Sequence, residues 1–238
     1  NDLRVRKAFN IAINRKKIVE QDLQGEGRAV ANGFLPEIEG YPNDQVVGHQ
    51  QNVEAAKELL AQAGYTNGNR LPKIDFYVNS IKGSTNHKTC QAIARQLKKN
   101  LNVDLNIVLC TIEEREKAIA SGKAKIWRSG WIADYPSPEN FLTLFSSSHI
   151  DDNASTINAF KFNNSEYDTL FERALLENDH DKRMKLFAQC DQLIIDQAAV
   201  MPILTDDHIV MINARIRDFQ ASAMEALDLT NVYIRENK

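Results

Sequence analysis

The chain has 238 residues, of which 43% are hydrophobic and 26% are charged, as is ordinary for a globular domain. Its formal net charge of −3 gives no basic surface for nucleic acid and no polybasic patch for a membrane. No apolar run approaches the roughly 20 residues that a membrane-spanning helix needs.

Helix signals recur along the whole chain. Asp2, Asn14 and Asn52 each stand at an N-cap position before apolar residues with helical spacing, and Gly64 follows the third of these helices. Seven helices are predicted, the first three directly after these caps. They cover about residues 3–13, 15–23, 53–63, 85–99, 112–121, 166–177 and 181–196. The fifth opens with a Thr-x-x-Glu capping box and the sixth with a signature at Ser165 and Asp168. Residues 25–51, rich in Gly, Pro and Asn, are predicted to form a long irregular connection that is functional or packed on another element.

Alternating apolar residues predict three strands between these helices. They lie at residues 74–78, 103–109 and 125–131. The rhythm of strand, helix, strand, helix, strand favours parallel pairing with right-handed crossovers, and in such sheets ligands bind beyond the carboxyl ends of the strands. Further β-rich stretches are residues 200–205, 208–213 and 229–234.

The end of the third predicted strand holds an unusual set of side chains. Trp127, Arg128, Trp131 and Asp134 fall within eight positions, and two prolines follow. Aromatic walls with one charge of each sign suit a ligand that carries both an ammonium and a carboxylate, as a peptide does. On a strand the two tryptophans would share one face and Arg128 would point to the other, unless Gly130 introduces a bulge or an early end.

Structural interpretations of these residues stay open beside the functional one. Asp134 could be a turn aspartate that bonds its own backbone, the tryptophans could be core residues, and Arg128 could form a surface ion pair. The cysteines Cys90, Cys110 and Cys190 show no CxxC spacing and are interpreted as small buried hydrophobic residues. There is no nucleotide-binding glycine motif, no metal-ligand spacing and no G-x-S-x-G nucleophile motif, so we predict no cofactor, no metal and no enzymatic activity.

Several segments together resemble one family, the extracytoplasmic solute-binding proteins of dipeptide, oligopeptide and nickel ABC importers. The resemblance extends from the first residue to nearly the last. The segments are residues 4–9 (RVRKAF), 12–15 (AINR), 58–65 (ELLAQAGY), 130–138 (GWIADYPSP), 163–170 (NNSEYDTL), 181–183 (DKR) and 200–203 (VMPI). Asn14 and Ser137 replace aspartates that are usual in the family pattern.

The resemblance implies an α/β fold with a mixed, largely parallel sheet flanked by helices. It would be one lobe of a two-lobed periplasmic-binding-protein-like (type II) fold that closes on its ligand by hinge motion. Residues 1–215 would form the ligand-binding lobe, and residues 216–238 would return to the other lobe. Because Asn1 has neither an initiator Met nor a signal-peptide pattern around it, we expect the chain to be a piece of a longer protein. The resemblance implies that this piece is about the last half.

The resemblance also assigns candidate ligand-binding residues. Peptide binders of the family hold the peptide α-amino group with the aspartate of the GWxADY motif, which is Asp134 here. Trp131 then resembles a wall of a side-chain pocket, and Arg128 aligns with a position that pairs with a peptide carboxylate. Trp127 and Tyr135 complete the candidate set.

The implied function is that of the solute-binding component of an ABC importer, which captures short peptides between two lobes. Its partners would be the short peptide and the membrane permease subunits, with no nucleic acid. The protein would be a monomer in the periplasm or another extracytoplasmic space, with a lipid anchor before residue 1 as one option. The alternatives are the sensor domain of a transcription regulator, a binder of nickel or another solute, and a hydrolase that uses Asp134 and Glu139.

Overall fold

The computed structural model describes residues 2–69, 71–150, 157–207, 209–221 and 227–235. The helices run over Leu3–Ile11 (α1), Arg15–Lys17 (α2, continued by a π-helical turn over Ile18–Asp22), Val53–Gln62 (α3), Thr85–Leu101 (α4), Ile112–Ala120 (α5), Pro138–Leu142 (α6), Ser165–Leu176 (α7) and His180–Asp196 (α8). The strands run over Arg28–Ala29 (β1), Ile74–Asn79 (β2), Leu105–Cys110 (β3), Ile126–Trp127 (β4), Leu204–Thr205 (β5), Ile216–Arg217 (β6) and Tyr233–Ile234 (β7). Within the described ranges, no helix combines the length and the apolar composition that a membrane crossing requires.

The helix starts follow the capping signals of the sequence. The side chains of Asp2, Asn14 and Asn52 each accept a hydrogen bond from a backbone N–H in the first turn of α1, α2 and α3. The capping box at the start of α5 forms in both directions. One cap prediction is wrong by a residue, because Asn164, and not Ser165, caps α7.

The central sheet has three parallel strands in the order β3-β2-β4, as the alternation with helices predicts. Its two faces are covered by different helices. Phe76 and Val78 of β2 join the core formed with α1, α3 and α4, whereas Tyr77 points to the opposite face and packs near α5. The antiparallel pairs β1-β5 and β6-β7 form separate ribbons of two strands each.

A second hydrophobic core lies outside the sheet, between α6, α7, α8 and part of the 25–51 connection. A stack of aromatic rings links it to the sheet. Trp127 at the end of β4 stacks on Phe160 with ring centroids 5.9 Å apart, and Phe160 stacks on Phe145 at 5.1 Å. The carboxyl end of β4 therefore packs against the second hydrophobic core.

Several predicted strands are shorter in the structure. The strand predicted over residues 125–131 ends at Trp127, because only Ile126 and Trp127 find ladder partners on β2. Only Leu204–Thr205 of the 200–205 stretch and only Tyr233–Ile234 of the 229–234 stretch are strands. Residues 209–213 are not a strand, and His208 lies outside the described residues. Apolar alternation alone does not make a strand where no neighbouring backbone is present to pair with it.

The irregular 25–51 connection is packed on α8 through one buried carboxylate. Asp191 is fully buried and accepts hydrogen bonds from Phe34 N at 2.7 Å, Leu35 N at 3.2 Å and Tyr41 Oη at 2.9 Å. Burial raises the pKa of Asp191, and its three donors act against that rise. Gly33 lies so close that an added Cβ would stand 2.1 Å from the carboxylate. The packed alternative predicted for this connection is therefore confirmed.

The cysteine prediction holds for two of the three residues. Cys90 and Cys190 are buried, and burial raises the pKa of each thiol to about 12. For Cys110 the prediction is wrong, since it is only half-buried at the carboxyl end of β3, an edge strand.

Candidate functional site

The candidate loop leaves the carboxyl end of β4 and leads into α6. Arg128 N still donates to Tyr77 O of β2 at 2.8 Å, after which the chain departs from the sheet. Ser137 caps α6 and Pro138 occupies its first turn. The loop therefore lies where the prediction put it, beyond the end of a parallel strand, between the sheet and the helical core.

Asn140 of α6 organises this loop. Its side-chain oxygen accepts hydrogen bonds from Trp131 Nε1 at 2.7 Å and from Asp134 N at 3.2 Å. Its side-chain nitrogen donates to Asp134 Oδ2 at 3.3 Å. Asn140 is only 5% exposed, so one buried amide holds both the indole and the carboxylate.

Asp134 itself is exposed. Within the described ranges its carboxylate accepts a hydrogen bond only from Asn140, through Oδ2, and forms no salt bridge. The alternative of a turn aspartate that bonds its own neighbouring backbone is therefore not what the structure shows. An exposed carboxylate with one oxygen left for a donor is suited to an ammonium group.

The two tryptophans do not share the environment that a common strand would have given them. The strand ends early, which is the alternative that the sequence left open, because β4 stops at Trp127 and Trp131 lies in the loop. Trp127 is half-buried in the stack with Phe160 and so has the core role that the sequence left open. Trp131 is 40% exposed, and its N–H is already bonded to Asn140, so the part of the indole left for a ligand is apolar.

Arg128 is half-buried, and its guanidinium has no hydrogen bond or salt bridge to any residue in the described part of the chain. Desolvation lowers the pKa of Arg128, an effect opposed by the charge of Asp206 and increased by that of Arg115. Arg115 of α5 donates from Nη1 to Arg128 O at 3.2 Å and to Asn79 Oδ1 at 2.5 Å, while its buried Nε has no hydrogen-bond partner among the described residues. Two guanidinium groups thus lie near the carboxyl edge of the sheet, where an anion could be held.

Tyr135 is 43% exposed at the same loop. Partial burial raises the pKa of its hydroxyl, and the nearby Glu139 carboxylate raises it further. The hydroxyl is therefore neutral near pH 7 and can serve as a hydrogen-bond donor or acceptor.

The remaining candidate sites are a metal site and a serine–histidine pair. Among the described residues, no three His, Cys, Asp or Glu side chains come together in a way that could hold a metal ion. The Ser146 hydroxyl bonds the Ser148 hydroxyl, and the His149 ring bonds Thr143, so within the described ranges no side-chain hydrogen bond joins either serine to His149.

The sequence did not reveal Asn140 or Arg115. A signal for α6 was present, because Ser137, Pro138 and Glu139 form an N-cap, N1 and first-turn pattern that would have predicted a helix starting at Pro138. The partners of Asn140 depend on the loop folding back over that helix, which no local pattern encodes.

Comparison with known proteins relates this chain to one family. Residues 1–153 match the family model described as bacterial extracellular solute-binding proteins, family 5 middle region. The chain is 30% identical over 226 residues to heme-binding protein A of Haemophilus influenzae, covering 93% of this chain and 40% of that protein. It is 32% identical over 210 residues to the periplasmic murein peptide-binding protein MppA of Escherichia coli, covering 85% and 37%.

A solved structure shows the same architecture. The crystal structure of a periplasmic oligopeptide-binding protein from Borrelia burgdorferi superposes with a TM-score of 0.83 at 26% identity, over 98% of this chain and 45% of that one. This likeness confirms the predicted α/β class and the periplasmic-binding-protein-like (type II) fold. The chain spans about 40% of the length of the curated relatives it matches, and these relatives are named as binding proteins.

Proposed function

The chain belongs to the bacterial extracellular solute-binding proteins of family 5, and from this we propose that its parent protein captures short peptides between two lobes for uptake by an ABC importer. The peptide is bound without covalent chemistry. A separate ATPase supplies the energy of transport. The observation that carries the proposal is the exposed Asp134 carboxylate, which keeps one oxygen unbonded beyond the end of a parallel strand.

In this proposal, Asp134 pairs with the α-ammonium of the peptide. A hydrogen bond to a charged group contributes about 1.5–3 kcal/mol net, which is enough to select free amines over blocked ones. Two relatives support the ligand class, since one is named for murein peptide and another solved chain for oligopeptide.

Arg128 supplies the opposite charge for a peptide carboxylate, since its guanidinium forms no hydrogen bond and no salt bridge within the described ranges, although the charge of Asp206 acts on it. Trp131 and Tyr135 offer partly exposed aromatic surface to side chains, and Trp127 supports the strand end behind them. Side chains of the peptide would lie in roomy, partly hydrated pockets, which tolerates many sequences.

The remaining organisation belongs to the same proposal. Residues 1–215 form the ligand-binding lobe, and residues 216–238 return to the other lobe, which the rest of the parent chain supplies. The parent protein acts as a monomer outside the cytoplasm, held by a lipid anchor or free in the periplasm, and docks on the permease subunits of the importer.

The experiment is calorimetry of the complete parent protein with a tripeptide and with its N-acetylated form. We expect acetylation to weaken binding by roughly 10-fold to 150-fold, the factor that corresponds to about 1.5–3 kcal/mol. Asp134→Asn should remove this difference. Glu139→Gln is the matched control, since it neutralises a carboxylate in the first turn of α6, directly after the loop, and should keep the preference for the free amine.

Equal affinity of the unchanged protein for both peptides would overturn the pairing of ammonium with Asp134. The same would hold if Glu139→Gln, and not Asp134→Asn, abolished the preference.

A second candidate ligand is haem, because one relative is named a heme-binding protein. Haem titration of the parent protein should give a saturable Soret shift if this candidate is correct. The peptide proposal predicts no saturable shift, together with a calorimetric response to tripeptide.

A further inference from the structure

We propose that Asn140 is the positioning residue of the ligand site, which sets the relative placement of the Trp131 indole and the Asp134 carboxylate before any ligand arrives. The inference rests on the proposed function, because it assigns Asn140 a role in selecting a ligand ammonium. It makes a separate claim about the ligand-free site, and that claim can be tested alone.

The orientation of the Asn140 amide is fixed by its partners. Two N–H donors, Trp131 Nε1 and Asp134 N, point at one side-chain atom, and a carboxylate oxygen lies against the other. The first atom must therefore be the oxygen and the second the nitrogen, since the reverse orientation would set donors against donors and an acceptor against an acceptor.

Asn140 can act as a fixed support because α6 is held in the second core. Leu142 of α6 is fully buried, and its carbonyl accepts a hydrogen bond from the buried Tyr167 hydroxyl at 2.6 Å. By contrast, Trp131 and Asp134 belong to an exposed loop. The buried amide thus ties an exposed loop to a rigid helix, which lowers the cost of ordering the loop when a ligand binds.

The hydrogen bonds also decide which surfaces remain for the ligand. The amide nitrogen uses one of the two acceptor lone pairs of Asp134 Oδ2, so Oδ1, which accepts no hydrogen bond from a described residue, has the greater capacity for an ammonium. The amide oxygen satisfies the indole N–H, so Trp131 contributes its apolar ring and not a polar edge. Asn140 therefore sets both the carboxylate oxygen that faces a ligand ammonium and the apolar surface that Trp131 presents beside it.

The first test reads the ligand-free site by NMR of the complete parent protein. The indole N–H resonance of Trp131 is assigned by its loss in Trp131→Phe. We expect it to be shifted downfield and protected from exchange with water, and to lose both properties in Asn140→Ala, which removes the acceptor oxygen. An unchanged resonance in Asn140→Ala would overturn the proposal.

The second test measures the preference for a free amine, as the ratio of affinities for a tripeptide and its N-acetylated form. Asn140→Ala should lower this ratio roughly fivefold to tenfold, a change of about 1–1.4 kcal/mol. In an Asp134→Asn background the same substitution should leave the ratio unchanged, because the group that it positions is gone.

Asn158→Ala is the matched control. Asn158 is 2% exposed and also makes three side-chain hydrogen bonds, all to the backbone of Ser146 and Phe162. We expect it to reduce stability while leaving the Trp131 resonance and the affinity ratio unchanged. If Asn140→Ala lowers both affinities equally, or if Asn158→Ala lowers the ratio as much, the role of Asn140 is purely structural and the inference is wrong.

The two proposals fail separately. A wild-type protein without preference for the free amine refutes the ammonium contact of the proposed function, whereas the Trp131 resonance tests the Asn140 contact without any peptide.

Discussion

The connection over residues 25–51 and the loop over residues 128–137 are both largely irregular. The connection contacts the carboxylate of Asp191 and the guanidinium of Arg15, whereas the loop contains Asp134 and Arg128. At the connection, Asp191 is fully buried and accepts three hydrogen bonds. Arg15, also buried, donates four, to Pro202 O, to His49 O and to both oxygens of Asn10. At the loop, exposed Asp134 has one hydrogen bond, and the Arg128 guanidinium has none within the described part of the chain.

The difference shows how a structural charge is distinguished from one that is available to a ligand. A buried charge costs free energy unless protein groups saturate it, so Asp191 and Arg15 are occupied by the fold itself. Asp134 and Arg128 keep unused hydrogen-bonding capacity at the end of a sheet. The residue types are the same in both regions, and only the number of partners separates their roles.

The largest expected effect is the loss of the buried carboxylate. Asp191→Ala leaves two backbone N–H groups and the Tyr41 hydroxyl without their acceptor, so we expect the free energy of unfolding to fall by roughly 3–5 kcal/mol. Urea denaturation measures it. Asp134→Ala is the matched control and should change stability by less than about 0.5 kcal/mol. Similar losses in both variants would remove the distinction between the two regions.

The two tryptophans give the next test of the same distinction. Trp127→Ala removes a half-buried ring from the stack with Phe160, and we expect a loss of about 2–3 kcal/mol in the free energy of unfolding. Trp131→Ala should cost below about 1 kcal/mol of stability, because its ring is 40% exposed, and should instead weaken peptide binding. Urea denaturation measures the loss of stability, and calorimetry measures the loss of binding. A larger loss of stability in Trp131→Ala than in Trp127→Ala would contradict the assignment of Trp127 to packing.

A substitution of Arg128 tests whether its guanidinium binds a ligand. Arg128→Met keeps much of the side-chain volume and removes the charge, so we expect a peptide with a free carboxylate to lose about 1.5–3 kcal/mol of binding free energy. A C-terminally amidated peptide, compared by calorimetry on the parent protein, should lose far less. Equal losses for both peptides would show that Arg128 does not pair with the carboxylate.

The smallest expected effect is the pH dependence of stability that arises from His49, in the 25–51 connection. Desolvation lowers the pKa of His49, whose Nε2 bonds Ile195 O at 3.0 Å. Below the ordinary value of 6.5 the unfolded chain therefore binds a proton that the folded chain resists, so the free energy of unfolding should decrease as the pH falls from 7.5 to 5.5. His49→Gln should reduce this decrease in urea denaturation at the two pH values. A decrease of the same size in His49→Gln would contradict this assignment.

The agreement between sequence and structure was best where the signals were short-ranged. A cap bonds a backbone N–H two or three residues away, so Asp2, Asn14, Asn52 and the Thr111 capping box could be recognised locally. The strand β4 was predicted too long because its length depends on pairing with β2, and that pairing covers only two residues of β4. The role of Trp127 was left open for a similar reason, since Phe160 is far away in sequence.

The sequence by itself determined most of the helix starts, the parallel pairing of the central strands, the resemblance to a family and the loop that carries Asp134. Only the tertiary structure decided which charges are saturated, which tryptophan is packed, and that Asn140 joins Trp131 to Asp134. The physical reason is the range of the interactions. Caps and periodicity act within one or two turns of chain, whereas burial and the supply of hydrogen-bond partners depend on segments that meet only after folding.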